Sequence, residues 1–301
     1  MTKNIKNIRV IINPCSGKGE PVLSVINASM KEAGIEWEAS ITHKTNDATR
    51  LARAAAGEAI DALAVYGGDG TVMEALSGLL GSKVPLMILP GGSANVMANE
   101  LGIPKNLKEA CSLLGQGRLE EKAIDLGQFN DRYFMTGISI GFSADLVKEA
   151  DRESKNKFGI LAYFLATAEA LKKLRPSCYR LNIDGKEHEV RGLTCIIANA
   201  GNLGFTKVSL DKHIDVSDGL LDIVVVRKAN FGLLKLLMAT LIKRERPDNY
   251  ELVEHWQGKD ISVASSPPQA AQCDGEILEI IPSRVKVLPA ATKVLVPQKE
   301  K

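Results

Sequence analysis

Two hydrophobic periods divide the chain. Through about residue 124, short uncharged apolar runs alternate with stretches in which apolar residues recur every third or fourth position, the pattern of buried parallel strands joined by amphipathic helices. Ile8–Ile12, Leu63–Tyr66 and Val84–Leu89 read as strands, and Ile35, Trp37, Ala39 and Ile41 alternate with Glu36, Glu38 and Ser40 as a half-exposed one. The spacing predicts a helix over Pro21–Ala33 closed by Gly34 and another over Ala48–Ala59 behind an Asp47 N-cap. A third carries Val72, Ala75, Leu76, Leu79 and Leu80, and a fourth spans Leu107–Leu114, closed by Gly115.

From about Asp125 the period falls to two. Leu126–Phe129 and Tyr133–Ile140 flank Asn130-Asp131, and Tyr179–Ile183 and Lys186–Val190 flank Asp184-Gly185, both two-residue hairpin signals. Further strands are expected at Leu193–Ala198, Leu220–Arg227, Ile261–Ala264 and Ile277–Ile281. An apolar helix is expected from Phe158 to Leu174, and Phe231–Ile242 is too short to cross a bilayer and reads as a packed helix. The expected fold class is α/β plus β, with an alternating domain over residues 1–124 and a β-rich one over 125–290.

Three strands of the first domain run straight into glycine-rich loops: Asn13-Pro14-Cys15-Ser16-Gly17-Lys18-Gly19, Gly67-Gly68-Asp69-Gly70-Thr71, and Pro90-Gly91-Gly92-Ser93-Ala94-Asn95. Glycines let the backbone approach a ligand, and a following helix points free N–H groups and its positive end at it, so the favoured guest is a phosphate chain. Asn13 and Ser16 can hydrogen-bond a nucleotide and Lys18 can meet phosphate as a point charge. Asp69, a carboxylate in an anion site, makes sense beside a cation, and we read it as a partner of Mg²⁺. On loop chemistry alone, a plain turn with a helix N-cap is equally admissible. Three such loops at the carboxyl ends of parallel strands mark the place where open α/β sheets bind ligands. The first loop is not a Walker A loop, because Gly19 rather than Ser or Thr follows Lys18.

Composition narrows the function classes. With 301 residues, 45% hydrophobic, the chain is long enough for two medium domains. A net charge of +2, from 38 basic and 36 acidic residues, argues against a nucleic-acid partner. Five scattered cysteines without a CxxC pair point to a reducing cytosol, with neither a disulfide framework nor a zinc site. The amino terminus carries no apolar run long enough for a signal peptide, so a cytoplasmic protein is expected.

Gly67-Gly68-Asp69-Gly70-Thr71 resembles the GGDGT signature of diacylglycerol kinases, sphingosine kinases and bacterial lipid kinases, and more distantly of NAD kinases. Asn13 to Gly19 resembles that family's NPxSGxG loop, Leu89 to Asn95 its LPxGTxN loop, Asp218 to Asp222 its DGxLD stretch, and Cys273 to Glu276 its xDGE motif. The resemblance implies a three-layer α/β nucleotide-binding domain and a β-sandwich lipid-substrate domain, with 291–301 returning to the first as a late strand at Val294–Val296. It implies ATP on Asn13, Ser16, Gly17, Lys18, Thr42, Gly67, Gly68, Asp69, Gly70, Thr71, Gly92, Ser93 and Asn95. It also implies a structural Mg²⁺ held by the Asp218 carboxylate and the carbonyls of Asp215 and Leu220, with Asp274 as catalytic base and Glu276 in the metal's polar network. Read without it, Asp215–Leu220 is a plain turn and Asp274-Gly275 a hairpin turn.

The activity implied is transfer of the γ-phosphoryl group of ATP to a lipid alcohol, diacylglycerol-like or sphingoid-like, in a cleft between the domains. The protein would touch the inner membrane surface peripherally, and a homodimer is admitted. Two positions depart from the family pattern: Ser93 stands for Thr, and Val96 for an Asp that would join the metal's network. A non-catalytic ATP- or lipid-binding regulator is therefore the surviving alternative. An NAD kinase would need an Asn-Glu pair far downstream, and Asn99-Glu100 lies too close. A Rossmann dehydrogenase lacks its third glycine, since Met73 occupies that place.

Overall fold

The computed structural model describes residues 5–17, 19–141, 175–201, 214–228, 253–278 and 284–298. Lys18 and the helices expected at 158–174 and 231–242 lie outside them. The chain separates into two compact units, one built from residues up to Asp125 and from Pro289 onward, the other from Leu126 to Leu288.

The first unit is an α/β domain. Strands β1 (Asn7–Ile12), β2 (Glu36–Ile41), β3 (Ala62–Gly67) and β4 (Leu86–Pro90) are parallel in the order β2-β1-β3-β4. Val10 aligns with Ala39 on one side and Ala64 on the other, and Val65 with Ile88. Every residue of β3 and β4 is buried, which is why these strands read as unbroken apolar runs, whereas β2 at the edge has no fully buried residue. Helices α1 (Val22–Ala33), α2 (Asp47–Ala55), α3 (Asp69–Gly78), α4 (Val96–Glu100) and α5 (Leu107–Gly115) complete the layers, with α1 packed on α5 and α2 on α3.

Two expectations need correction. Asp47 does not cap α2: its Oδ2 accepts the N–H groups of His43 and Lys44, and these bonds, led by that from His43, hold its carboxyl below the usual range. The cap comes from α3, where the Glu74 carboxylate accepts the N–H groups of Asn46 at 2.9 Å and Ala48 at 3.1 Å. Helix α2 also stops at Ala55 rather than Ala59.

The second unit is a β-sandwich. One sheet runs β12 (Val253–Gly258), β11 (Leu221–Val226), β10 (Thr194–Ala198), β7 (Gly137–Ile140), β14 (Ala271–Cys273), β15 (Glu276–Leu278). Facing it are β13 (Asp260–Ser266), β8 (Ser177–Ile183) and β9 (Lys186–Gly192), and Phe134, Ile138, Tyr179, Leu181, Ile197, Ile223 and Ile261 form a common core. The Asp184-Gly185 hairpin is present, both residues at positive φ.

The single strand expected at Tyr133–Ile140 is broken into β6 (Arg132–Phe134) and β7, because the N–H groups of residues 135 to 137 turn to the Asp274 carboxylate. The short late strand is the end of a 14-residue strand, β16 (Arg284–Pro297), in which Val294 pairs with Leu86. Midway along it Ala290 has φ 48, and its N–H donates to the buried Asp125 carboxylate on β5 (Leu119–Phe129) at 2.7 Å.

The Glu74 cap makes a direct prediction. Glu74→Ala should lower unfolding free energy by about 1–2 kcal/mol, because two amides at the start of α2 lose a charged acceptor. Urea denaturation measures it, and an unchanged midpoint would remove Glu74 as the cap.

Candidate active site

The three glycine loops do meet, and they meet main chain to main chain. The Gly17 N–H donates to the Gly91 carbonyl at 2.7 Å and the Gly91 N–H to the Gly67 carbonyl at 2.9 Å. A Cβ at Gly92 would fall 2.6 Å from Gly68 Cα, and one at Gly67 would fall 2.6 Å from the Thr71 Cβ. A side chain at Gly92 would drive the second and third loops apart, and one at Gly67 would displace Thr71 within its own loop. Parallel pairing runs on past the strands: the Thr42 N–H donates to Ile12 and the Asn13 N–H to Tyr66, each at 3.0 Å, which places Thr42 beside the first loop.

These bonds also tie several expected nucleotide contacts into the loops themselves. Asn13 Nδ2 donates to Thr71 Oγ1 at 2.9 Å while its Oδ1 accepts the Cys15 N–H, so both ends of that amide hold the loop itself. Asn95, at φ 50, grips Gly92 twice, accepting its N–H at 2.8 Å and donating to its carbonyl at 2.7 Å. The Ser16 N–H closes a turn onto the Asn13 carbonyl. Gly17, Gly92, Asn13 and Asn95 therefore build the cradle from within. Ser93 is exposed on its third loop.

The donors that face outward come from α3. Gly68 is its N-cap and the first intrahelical bond is Val72 N–H to Gly68 O, so the amides of Gly70 and Thr71 have no acceptor in the helix. Thr71 Oγ1 already accepts from Asn13, so its own proton is left to donate elsewhere. Asp69 Oδ1 accepts the Met97 N–H at 3.3 Å, linking this turn to the residue after Val96. Among the described residues no three His, Cys, Asp or Glu side chains cluster closely enough to hold a metal by themselves. A single carboxylate beside phosphate donors suits Mg²⁺, which takes most of its oxygen ligands from water and phosphate.

The turn at Asp215–Leu220 carries short internal bonds. Asp215 Oδ1 accepts the Ser217 N–H at 3.0 Å and the Ser217 hydroxyl, and Asp218 Oδ1 accepts the Leu220 N–H at 2.9 Å. Such short side-chain-to-amide bonds are what an Asx turn carries, with or without a cation on its outer oxygens.

In the second unit Asp274 and Gly275, both at positive φ, form the two-residue turn between β14 and β15. The Asp274 carboxylate looks back into the break between β6 and β7. Its Oδ1 accepts the N–H groups of Thr136 at 3.0 Å and Gly137 at 3.1 Å and also the Thr136 hydroxyl, while Oδ2 accepts the Met135 N–H at 2.9 Å. Burial pushes the carboxyl up from its ordinary range, against the pull of these bonds, of which the Thr136 hydroxyl is the strongest. Oδ1 is saturated and Oδ2 carries the lighter load, so Oδ2 is the oxygen suited to a further donor.

Three residues that the sequence did not point to complete this cluster. Asn199 braces the break, its Nδ2 donating to Met135 O at 2.9 Å and its N–H to Thr136 O at 2.8 Å. Thr136 supplies the hydroxyl. Arg132 donates to the exposed Glu276 at 3.0 Å and lies over the Phe129 ring. No spacing rule joins positions more than sixty residues apart, so only the paired strands bring them together.

Residues 7–129 match the diacylglycerol kinase catalytic domain, and residues 136–296 match the domain described as YegS C-terminal NAD kinase beta sandwich-like. A diacylglycerol kinase of Mycobacterium tuberculosis H37Rv is 33% identical over 304 residues, covering 98% of this chain and 96% of its own. One from Bacillus subtilis 168 is 29% identical over 303 residues, with 98% of both covered. Among solved structures, a candidate diacylglycerol kinase from Bacillus anthracis superposes with a TM-score of 0.81 at 26% identity over 98% of both chains. With its first half matching the diacylglycerol kinase catalytic domain and a diacylglycerol kinase aligned nearly end to end at 33% identity, the chain belongs to the diacylglycerol kinase family, whose members are lipid kinases that transfer phosphate to an alcohol.

Proposed function

We propose that the protein transfers the γ-phosphoryl group of ATP to the hydroxyl of a lipid alcohol, a diacylglycerol in the first instance and a sphingoid base as the second choice. The observation that carries this reading is the cradle of three mutually hydrogen-bonded glycine loops with the first turn of α3 left to donate. Phosphoryl transfer asks a protein for positioning and charge neutralisation rather than for covalent chemistry, and a stiff ring of main-chain amides meets that demand. Diacylglycerol is preferred because relatives matched over nearly their whole length carry that name.

In this reading Gly70, Thr71 and Ser16 hold the phosphates, Lys18 adds a charge, and Thr42 lines the nucleotide's side of the first loop. Mg²⁺, when bound, neutralises phosphate charge, and Asp69 would hold it. A second cation at the Asp215–Leu220 turn, on the Asp218 carboxylate and the carbonyls of Asp215 and Leu220, rests on resemblance alone. Asp274 takes the proton of the attacking hydroxyl on Oδ2, while Glu276, paired with Arg132, belongs to the metal's polar network. A lipid alcohol resides in a bilayer, so the reading includes peripheral contact with the inner membrane surface. Among the described residues no helix is long and apolar enough to cross it. Monomer and homodimer are both compatible with this chemistry.

The deciding assay is radiolabelled ATP with a total lipid extract and the purified chain. A labelled phospholipid is expected, and its mobility names the acceptor. Label that stays in ATP would favour the non-catalytic regulator, to which Val96 lends its weight.

Asp69→Ala should leave the fold intact and abolish most turnover, because phosphate charge then faces the loop without its counter-ion partner. Full activity in the folded variant, or in excess chelator, would withdraw the magnesium assignment.

Asp274→Asn cannot be a silent replacement, since one face of the amide must present N–H to an N–H donor of residues 135–137, at a cost of about 1–3 kcal/mol. The variant should therefore melt lower and turn over at least about 10²-fold more slowly, with ATP affinity changed only a few-fold. In the wild type the raised carboxyl must be ionised to act, so kcat should fall as pH drops through a value above the ordinary carboxylate range. A stable Asn variant with normal kcat, or an acid limb at an unperturbed carboxylate, would return Asp274 to a purely structural role.

A further inference from the structure

Beneath the loops lies a buried polar side chain that the chemistry above does not use. Tyr66, the residue of β3 before Gly67, is fully buried. Its ring lies under Gly91, where a Cβ would come within 2.8 Å of the ring. Its hydroxyl donates to Glu20 Oε1 at 2.6 Å and lies directly against Gly17, which at φ 101 has no room for a side chain there. Its carbonyl accepts the Asn13 N–H. One residue thus touches all three loops, and Glu20, at the far end of the first, is tied to it by a bond of charge-assisted length. Burial, aided by Glu20, raises the phenol's pKa and keeps it a donor.

We propose that the Tyr66–Glu20 pair is a latch that pins the first loop onto the other two and thereby sets affinity for ATP without touching it. The inference rests on the reading of these loops as the nucleotide site. Gly17 stands between Ser16 and Lys18, so anchoring it removes freedom that the loop would otherwise lose on binding phosphate. Such an effect appears in nucleotide affinity and not in the chemical step. Tyr66 and Glu20 are positioning residues.

Tyr66→Phe keeps the ring under Gly91 and removes only the hydroxyl, and Glu20→Gln keeps the shape and removes the charge. Each should weaken ATP binding about tenfold by calorimetry, with kcat within about twofold of wild type. The double variant should be no weaker than either single, as expected of one shared interaction. Amide hydrogen exchange without nucleotide should quicken at Gly17 in each variant while β3 amides keep their rates. Unchanged Gly17 exchange overturns the latch, faster exchange throughout β3 reduces Tyr66 to core packing, and unchanged or additive ATP affinities overturn its role in binding. Should the wild-type chain bind no ATP, the nucleotide reading fails, and with it the latch's role in affinity; the exchange rates still decide whether the latch exists.

Discussion

Close approach of backbone to backbone is the constraint on which the nucleotide half of this protein depends. Gly92 and Gly68 stand so near that a single methyl at the former would meet the Cα of the latter at 2.6 Å. That nearness allows the relay from Gly17 to Gly91 to Gly67, which joins the ends of three strands into one ring. A backbone hydrogen bond contributes a net of about 0.5–1.5 kcal/mol, so each internal bond stabilises the ring and also takes up a donor. What is left to meet a phosphate is the start of α3, where helix geometry guarantees unmatched N–H groups. In the proposed reading the loops are a frame, and the helix supplies much of the contact.

The second unit solves a different problem with a carboxylate. A strand that must break between Phe134 and Gly137 exposes three amides in the middle of a sandwich, and Asp274 from the neighbouring hairpin accepts all three. Asn199 secures the same break from the other side. A group so held cannot wander, which suits a base that must meet one hydroxyl in one orientation. Structural and catalytic roles are compatible here because the two oxygens are loaded unequally.

Much of the architecture was legible because apolar period and glycine position are local signals. The parallel run Leu63–Tyr66, the three loops and the Asp184-Gly185 hairpin all follow from residues next to one another. What was not legible is where each polar group sends its bonds. Asp47 has every local mark of an N-cap, yet Glu74, from another helix, does that work. Gly17, Gly92 and Asn13 read as ligand contacts, and their bonds to Gly91, Asn95 and Thr71 within the loops carry no local signal. Strand β12 was missed because His255 and Glu254 break up its apolar pattern, and β16 because Pro289 and the positive φ of Ala290 interrupt its reading as one strand. Asn199 and Arg132 carry no local signal, since their partners lie far away in the chain.

The central claim is a division of labour, with the loops holding one another and α3 holding the phosphates. Residue-resolved amide exchange with and without ATP and Mg²⁺ tests it directly. The account predicts that Gly17, Gly91 and Gly92 exchange slowly before nucleotide is added, and that Gly70 and Thr71 exchange fast without it and slowly with it. Fast exchange at Gly17 and Gly92 that slows only when ATP binds, with Gly70 and Thr71 unmoved, would contradict it.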